Sequence, residues 1–379
     1  MKGQTLNSPR IMTPSKIPLV DVQASHRGLG DELPRAIQRV LESGRFIQGA
    51  ETKRFEEGFA SYCGTKEAIA VDSGTAALHL ALLACGLKPG DEVLTTPFTF
   101  IATGAAILHA NLAPVFADIR PGDMNLDPAA IEAALTPRTK AIMPVHIFGT
   151  TCDMTAIGAL AQKKGLKVIE DACQAHGATH AGKRAGSFGD AATFSFYPSK
   201  NLAAVGDGGA LVTSSDEVAR DARLRRDHGR TSKYEHGVVG WNYRMDEFQA
   251  AALNVKLPKL EAWNQRRRAF ASRYAERLKR APLTLPAPDP GSVWHLYVIR
   301  TPKRDALREH LEKQGVETGV HYPLPLHLQP PFAPFGFKKG RFPQAERAAD
   351  EALSLPMYPE LGDEGVDRVA GAVSSFFGV

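Results

Sequence analysis

The stretch that decides the fold is residues 190–213, DAATFSFYPSKNLAAVGDGGALVT. A β-type run at 191–196 ends in the turn signal Tyr-Pro-Ser, and a second apolar run at 210–213 follows a cluster of glycines. Lys200 lies between the two runs. A lysine held in a walled pocket at a strand end can lose its proton near neutral pH and attack a carbonyl, because burial disfavours the ammonium form. The alternative is a surface lysine in a loop between two strands.

Strand-like and helix-like segments alternate on the N-terminal side of this stretch. Short apolar runs lie at 68–71, 92–95, 114–116, 141–145 and 167–170, and helical patterns lie between them at 75–85, 100–109, 128–135 and 154–164. This alternation predicts an α/β domain with a mostly parallel central sheet that is covered by helices on both faces. In such sheets, ligands bind beyond the carboxyl ends of the strands.

The remaining sequence predicts three parts. Residues 1–16 are polar and predict a loose N-terminal tail, residues 17–255 predict the large α/β domain, and residues 256–379 predict a smaller C-terminal α+β domain. A long helical pattern is broken at Pro258, and a link rich in proline and aspartate at 281–291 marks the boundary.

Composition excludes several classes of function. The chain has 379 residues, of which 43% are hydrophobic and 23% charged, and its net charge of +5 is mild for this length. The arginine runs at 223–226 and 266–268 are interpreted as solvated helix faces rather than as a nucleic-acid surface. The four cysteines are scattered without metal-ligand spacing, which favours a reducing compartment. The N-terminus lacks an apolar signal core and no apolar run reaches the length of a membrane span. We therefore expect a cytoplasmic protein without a metal, a nucleic-acid partner or a membrane partner.

Polar groups follow two of the predicted strands. Asp72-Ser73-Gly74-Thr75 joins a strand to a helix, where free backbone N–H groups, two hydroxyls and the helix dipole would hold a phosphate. The same residues could instead form an ordinary helix cap. Asp171 follows the predicted strand at 167–170, and a carboxylate there could pair with a cationic ring nitrogen or cap a helix. At a separation of about 3 Å and an effective dielectric constant near 20, that attraction is about 5 kcal/mol before desolvation.

Three further side chains are candidates for the same region. Phe98 follows Thr96-Pro97 and could stack on a flat ring or belong to the core. Gln174 and His176 supply an amide and an imidazole close to Asp171, and either could be a purely structural hydrogen-bonding group.

Together, six motifs carry a resemblance to a known family. They are VDSGTAALHLAL, TTPFTFIAT, VIEDACQAHGA, GDAATFSFYPSKNLAAVGDGGALVT, GWNYRMDEFQAA and HYPLPLHLQP, and they lie in the family's order over residues 17–375. The chain resembles the sugar aminotransferases of the DegT/DnrJ/EryC1/StrS family. The resemblance implies the aspartate-aminotransferase fold (type I) and pyridoxal 5'-phosphate (PLP) as cofactor.

The resemblance also implies a role for each motif position. Lys200 would form the Schiff base with PLP and move the proton, Asp171 would pair with the pyridine nitrogen, Gln174 would lie near the ring hydroxyl, and Phe98 would stack on the ring. The implied phosphate site consists of Gly74, Thr75, Ala76 and Ser195, joined by Asn242 from the partner subunit of a homodimer. The implied sugar-nucleotide side consists of Tyr243, Arg244, His321, Tyr322 and His327.

The segment KNLAAVGDGG departs from the GEGG pattern of many members. It looks more like members that aminate a 3-keto than a 4-keto sugar nucleotide. The resemblance then implies transfer of an amino group from glutamate to a 3-keto nucleoside-diphosphate sugar, which makes an amino sugar for surface polysaccharide or secondary metabolites. A 4-keto aminotransferase, a PLP-dependent sugar dehydratase and a non-catalytic or regulatory partner are the alternatives. Lys200 and the scattered cysteines count against the dehydratase, and the presence of both Lys200 and Asp171 counts against a non-catalytic protein.

Overall fold

The computed structural model describes residues 16–379. The predicted N-terminal tail, residues 1–16, lies outside the described residues except for Lys16. The α-helices of the described part are α1 Val22–Arg27, α2 Glu32–Ser43, α3 Ala50–Cys63, α4 Gly74–Ala84, α5 Ile101–His109, α6 Pro128–Ala134, α7 Met154–Lys164, α8 Asp216–Arg226, α9 Glu247–Lys256, α10 Leu260–Leu278, α11 Arg304–Lys313, α12 Pro343–Glu351 and α13 Gly362–Phe377. None of these helices combines the length and the apolar character needed to cross a bilayer.

The strands of the same part are β1 Glu67–Val71, β2 Glu92–Thr95, β3 Ala113–Phe116, β4 Thr139–Ile142, β5 Lys167–Asp171, β6 Thr179–His180, β7 Lys183–Arg184, β8 Ala191–Ser195, β9 Gly209–Thr213, β10 Tyr297–Arg300 and β11 Ala352–Leu355. Short 3-10 helices lie at Ile147–Gly149, Leu257–Lys259, Leu326–Leu328, Pro330–Phe335 and Pro359–Leu361.

Seven strands form the central sheet in the order β1-β9-β8-β5-β4-β2-β3. All neighbouring pairs from β8 to β3 are parallel, and only β9 runs antiparallel to both of its neighbours. The prediction of a mostly parallel sheet is therefore confirmed. Because β1, β5 and β8 run in one direction, their carboxyl ends meet at the same edge.

Helices cover both faces of this sheet, as the strand pattern requires. Successive side chains of a strand point to opposite faces. In β1, Ile69 and Val71 enter a core with α4, α5 and α8, whereas Ala68 and Ala70 enter a second core with α3 and α9. The small alanines allow the helices of the second face to lie close to the sheet.

The C-terminal part has a core of its own. Strands β10 and β11 pair in antiparallel fashion, and α10, α11 and α13 pack around them. The predicted break at Pro258 is present, because a 3-10 turn separates α9 from α10. Ile17 packs in this C-terminal core, and its N–H donates to the Gly315 carbonyl at 2.8 Å. The first described residues thus contact the C-terminal part, while the predicted domain boundaries stay predictions.

Two arginines correct the interpretation of the basic runs. Arg226, at the end of α8, is only 7% exposed and donates to Glu56 at 2.5 Å and to the Ala70 carbonyl at 2.9 Å. Arg267 in α10 is 5% exposed and donates to the Met357 carbonyl. The prediction of solvated faces is wrong for these two positions, because each arginine crosses from its helix to backbone carbonyls of another segment.

Candidate active site

A cavity of about 540 Å³ lies at the carboxyl edge of the sheet, where the ligand rule for such sheets places it. Its size is within the usual range for small-molecule sites. The end of β1, the end of β5, the end of β8 and the loop before β9 form one side, and residues of the C-terminal part form the other. Of the predicted site residues, those that line it are Gly74, Thr75, Asp171, Gln174, Ser195, Lys200, His321 and Tyr322.

Lys200 follows β8 in a tight turn, in which its N–H donates to the Tyr197 carbonyl at 2.8 Å. The side chain is half-buried in the cavity wall rather than exposed on an open loop. Burial lowers the pKa of Lys200 from its usual value, and the neighbouring Cys173 and Asp171 act in the opposite direction. A lysine with a lowered pKa keeps more of its amine neutral, which is the form that attacks an aldehyde.

Asp171 is held rigidly at the end of β5. Thr103 Oγ1 donates to its Oδ2 at 2.7 Å, and the Cys173 N–H donates to its Oδ1 at 3.2 Å. The side chain is 4% exposed and lines the cavity. Each carboxylate oxygen has two lone pairs, so a further donor can still bind. Thr103 lies in α5 and is the last residue of the motif TTPFTFIAT, but the motif alone indicated no role for it.

Glu170, the residue that precedes Asp171, anchors β5 to a neighbouring loop. Glu170 is fully buried and accepts hydrogen bonds from the N–H groups of Gly186, Phe188 and Gly189 at 2.8 to 2.9 Å. His146 Nε2 lies 3.0 Å from the same carboxylate. Glu170 thereby ties the 186–189 loop to the strand that carries Asp171.

The start of α4 lines the cavity with unpaired backbone N–H groups, with one correction to the predicted phosphate site. Ser73 caps the helix, and its Oγ accepts the Ala76 N–H at 3.1 Å. The predicted use of the Ala76 N–H for phosphate is therefore not supported. The N–H groups of Gly74 and Thr75 make no hydrogen bond within residues 16–379 and lie at the positive end of the helix dipole.

Two glycines allow the ends of β8 and β9 to lie close to the start of α4. A Cβ on Gly74 would lie 2.7 Å from the Ser195 Cβ, and a Cβ on Gly209 would lie 2.4 Å from the Ser73 carbonyl. Both distances are too short for real Cβ atoms. The ends of β8 and β9 can therefore close around the helix start only because glycine occupies both positions.

The aromatic assignment also needs correction. Phe98 is fully buried, packs edge to face on Phe148 at 6.1 Å and does not line the cavity. Phe100, two residues later at the cap of α5, lines the cavity and is 52% exposed. Its ring lies 5.8 Å from that of Tyr322. Nothing in the sequence distinguishes the two phenylalanines except that Phe100 directly precedes the helix.

Residues of the C-terminal part close the cavity. Gln174 Nε2 donates to the Tyr322 hydroxyl at 3.0 Å, while Gln174 Oε1 accepts the Phe148 N–H at 2.7 Å. Burial raises the pKa of Tyr322, so its hydroxyl keeps its proton. His321 Nδ1 lies 2.8 Å from Ser354 Oγ, and burial with the charge of Lys200 lowers its pKa to about 4.

Besides Ala76 and Phe98, four predicted residues do not line the cavity of their own chain. Asn242 is exposed, and Tyr243 stacks on Trp241 at 5.9 Å. Arg244 forms an ion pair with Asp227 at 2.8 Å.

His327 is the fourth. It is 2% exposed, and its Nε2 lies 3.0 Å from Glu346 Oε1. The structure shows no contact of His327 with the cavity, because the Leu326–Leu328 turn directs the ring into the core beside Phe342. His176, the other uncertain histidine, is fully buried between Phe194 and Phe196.

The residues that line this cavity fit PLP. They provide a partly neutral lysine amine for the aldehyde, a buried carboxylate for the ring nitrogen and two free backbone N–H groups for the phosphate. The glycine contacts at the helix start provide room for a group that approaches the backbone closely.

Comparison with known proteins agrees with this fit. The sequence profile of the DegT/DnrJ/EryC1/StrS aminotransferase family matches residues 28–374. The chain is 48% identical to a pleiotropic regulatory protein of Geobacillus stearothermophilus, over 95% of this chain and 98% of the relative. It is 44% identical to a dTDP-3-amino-3,4,6-trideoxy-α-D-glucose transaminase of Streptomyces venezuelae, over 97% of both chains. It is also 44% identical to a UDP-N-acetyl-3-dehydro-α-D-glucosamine 3-aminotransferase of Acidithiobacillus ferrooxidans, over 94% of this chain and 97% of the relative.

Solved structures extend the comparison to three dimensions. DesV of S. venezuelae, in complex with a ketimine intermediate, superposes with a TM-score of 0.93 at 44% identity and covers 96% of this chain and 98% of its own. NtdA of Bacillus subtilis, with the cofactor PMP bound, superposes with a TM-score of 0.91 at 34% identity and covers 96% of this chain and 86% of its own. The chain therefore belongs to the DegT/DnrJ/EryC1/StrS family and is a PLP-dependent aminotransferase.

Proposed function

We propose that this enzyme transfers the amino group of glutamate to the 3-keto carbon of a nucleoside-diphosphate sugar. The observation that carries the proposal is the shared cavity of Lys200, Asp171 and the start of α4. It places an amine, a carboxylate and an anion site within one space of about 540 Å³.

Each residue has a defined task in this proposal. When bound, PLP supplies an electron sink that stabilises a carbanion next to nitrogen. Lys200 accepts a proton at Nζ from one carbon and returns it to another, which requires an amine whose pKa lies below that of a free lysine. Asp171 would provide the carboxylate that pairs with the ring nitrogen. Tyr322 and Gln174 close the cavity against water through their hydrogen bond.

The position of amination is inferred from two independent features. The S. venezuelae relative is named for a 3-amino dTDP sugar, and the A. ferrooxidans relative is named as a 3-aminotransferase of a 3-dehydro UDP sugar. The segment KNLAAVGDGG follows the pattern associated with 3-keto substrates, and Asp207 and Gly208 of this segment line the cavity. A 4-keto sugar remains the alternative, and the nucleotide stays open.

We also infer that two subunits share each site. Phe100 and Tyr197 line the cavity and are 52% and 55% exposed in the single chain. Exposed aromatic side chains of this kind often mark a surface that a partner covers. The exposed Asn242 does not line the cavity of its own chain, so its predicted phosphate contact requires a second copy. A cytoplasmic location stays a prediction from composition.

A regulatory role is the second candidate, because the G. stearothermophilus relative is named as a regulatory protein. The presence of Lys200, Asp171 and the anion site favours catalysis. A regulatory protein of this fold would not require all three.

Assay of both keto isomers tests the proposal. Purified protein with PLP and glutamate should convert the 3-keto sugar nucleotide to its amino product at least tenfold faster than the 4-keto isomer. Lys200→Ala should lack activity, whereas the surface variant Lys233→Ala should match the wild type. A preference for the 4-keto isomer would refute the position, and no turnover of either isomer by protein that has bound PLP would favour the regulatory role.

A further inference from the structure

A second and much smaller cavity adjoins the active site, and the proposed reaction gives it no role. Its volume is about 30 Å³, and Val20, Ser199 and Lys200 line both cavities. Its walls come from four segments of the chain, through residues at 20–26, 198–203, 256–267 and 358–360. A space of this size holds one small ion or one or two water molecules, and it excludes glutamate and a sugar nucleotide.

Arg267 of α10 lines this small cavity and carries a charge that has few partners in the described chain. The residue is 5% exposed, and its guanidinium donates within residues 16–379 only from Nη1, to the neutral Met357 carbonyl. Nε is sealed from solvent without a partner. Nη2 also lacks a partner there, but it is not among the sealed atoms, so a ligand can reach it. Burial lowers the pKa of Arg267 to about 10, which leaves the group charged at neutral pH.

Lys256 supplies a second buried cation to the same wall. It is 2% exposed, and its Nζ donates to the Ala203 carbonyl at 2.8 Å and to the Ala204 carbonyl at 3.4 Å. Its third neighbour is His26 Nε2, at 3.2 Å. Burial and the charge of Lys256 lower the pKa of His26, so the ring is neutral at pH 7 and accepts this bond. All three acceptors are therefore neutral, and none balances the ammonium charge.

The two carboxylates that line the cavity do not balance these charges either. Asp21 caps α1, and its Oδ1 accepts the Ala24 N–H at 2.8 Å. Glu360 is exposed, and although its charge favours the protonated form of Arg267, it forms no ion pair within the described residues. Neither carboxylate is paired with Arg267 or Lys256.

Arg226 shows how the same chain accommodates another buried arginine. It is 7% exposed, and its guanidinium pairs with the Glu56 carboxylate as well as with the Ala70 carbonyl. A buried charge is costly unless an opposite charge and further hydrogen bonds compensate it. Arg267 lacks the carboxylate that Arg226 has, and the adjoining cavity has room for a small anion in its place.

We propose that the small cavity binds one monovalent inorganic anion of the size of chloride, which accepts hydrogen bonds from the Arg267 guanidinium and is attracted by the Lys256 ammonium group. Helix α1, α10 and the turn that carries Lys200 all contribute to the wall, so a bound anion joins these segments. Binding should therefore stabilise the native state. The proposal does not depend on which keto sugar the enzyme uses.

The test uses the full-length holoenzyme at neutral pH, because bound PLP then covers the proposed phosphate site at the start of α4. The melting temperature is measured in sodium gluconate, whose anion is too large for the small cavity, as chloride replaces gluconate at constant ionic strength. A ligand that binds only the native state raises stability with its concentration, so the melting temperature should rise by at least about 2 °C. Chloride NMR on the same samples reports binding directly. The protein should broaden the chloride signal, and bromide but not gluconate should reverse the broadening.

Three variants separate a specific site from a general effect of salt. Arg267→Gln removes the charge but keeps an amide that can donate to the Met357 carbonyl. Arg266→Gln is the matched control, because Arg266 precedes Arg267 in α10, is exposed and does not line the cavity. Ser25→Val narrows the cavity, which Ser25 lines, and leaves both cations in place.

The chloride-dependent rise in melting temperature should be lost in Arg267→Gln and Ser25→Val and retained in Arg266→Gln. The broadening of the chloride signal should follow the same pattern. Equal rises in the wild type and all variants, or neither a rise nor broadening in the wild type, would overturn the proposal. If Arg267→Gln does not fold, Ser25→Val gives the same comparison, and an unchanged chloride affinity in that variant would refute the site.

Discussion

Replacing Asp171 with asparagine should remove one negative charge from the cavity and little else. Asparagine can keep its Oδ1 towards the Cys173 N–H and turn its Nδ2 towards Thr103. The Thr103 hydroxyl can then accept this bond and donate to Thr99 Oγ1, which lies 3.0 Å away. Every hydrogen bond of the wild type thus has a counterpart in the variant, so the fold and the cavity should be retained.

The expected loss of activity follows from the charge alone. Two opposite charges about 3 Å apart attract by about 5 kcal/mol at an effective dielectric constant near 20, before desolvation. Each 1.36 kcal/mol of transition-state stabilisation corresponds to a tenfold change in rate, so Asp171→Asn should be slower by roughly a thousandfold or more. Binding of PLP should change less, because the start of α4 is untouched.

The matched control is Thr103→Val, which removes one hydrogen bond from the same carboxylate and keeps its charge. A bond to a charged group contributes about 1.5–3 kcal/mol, which predicts a loss of roughly tenfold to a hundredfold. The assay is kcat at saturating glutamate and keto sugar, with cofactor occupancy and melting temperature measured for each variant. A rate for Asp171→Asn within tenfold of the wild type at full occupancy would refute the charge argument, as would a larger loss in Thr103→Val.

Three further predictions concern other parts of the molecule. Mixed dimers of inactive Lys200→Ala and inactive Asn242→Ala should regain part of the wild-type rate. One of their two sites then combines an intact Lys200 with an intact Asn242 from the other subunit. No recovery of activity despite demonstrated subunit exchange would contradict shared sites. Arg244→Ala should raise the KM for the sugar nucleotide and leave the KM for glutamate nearly unchanged. Asp227→Asn, which frees the Arg244 guanidinium from its ion pair, should have a smaller effect on the KM for the sugar nucleotide. Equal changes in both KM values would show that Arg244 does not contact the sugar nucleotide. Burial lowers the pKa of Lys256 to about 8, so the unfolded chain binds more protons than the native one between that pH and about 10.4. The melting temperature of the wild type relative to Lys256→Met should therefore rise over this range, and a constant difference would show that Lys256 titrates normally.

The sheet and its ligand edge could be predicted because they depend on local pattern. Runs such as 68–71 and 167–170 are short and apolar, and they are separated by helical periodicity, so their type and order follow from the residues themselves. The sequence analysis placed only 223–226 of α8 on a helix and gave the helix no bounds, because a helix with few apolar residues shows little periodicity. In α8 the buried surface is supplied partly by Arg226, which charge patterning alone places in solvent.

Lys200 and Asp171 were identified for the same reason as the strands. Each is a chemically distinctive residue at a strand end, and the end of a parallel strand has a predictable location. The two phenylalanines show where this reasoning stops. Phe98 and Phe100 have the same chemistry, and what separates them is the packing of Phe98 on Phe148, a residue 50 positions away in the sequence.

The support of the site is non-local throughout, so the motifs that contain Thr103 and Asn201 do not show what these residues contact. Asp171 depends on Thr103 of α5, and the orientation of the cavity residue His295 depends on Asn201 and Asn264, which lie 94 positions and 31 positions from it in the chain. No spacing rule relates such residues, because their meeting is decided by how the C-terminal part packs on the sheet. The chemistry of this cavity could therefore be predicted from strand ends, whereas the protonation state of the groups around Lys200 follows only from three-dimensional contacts.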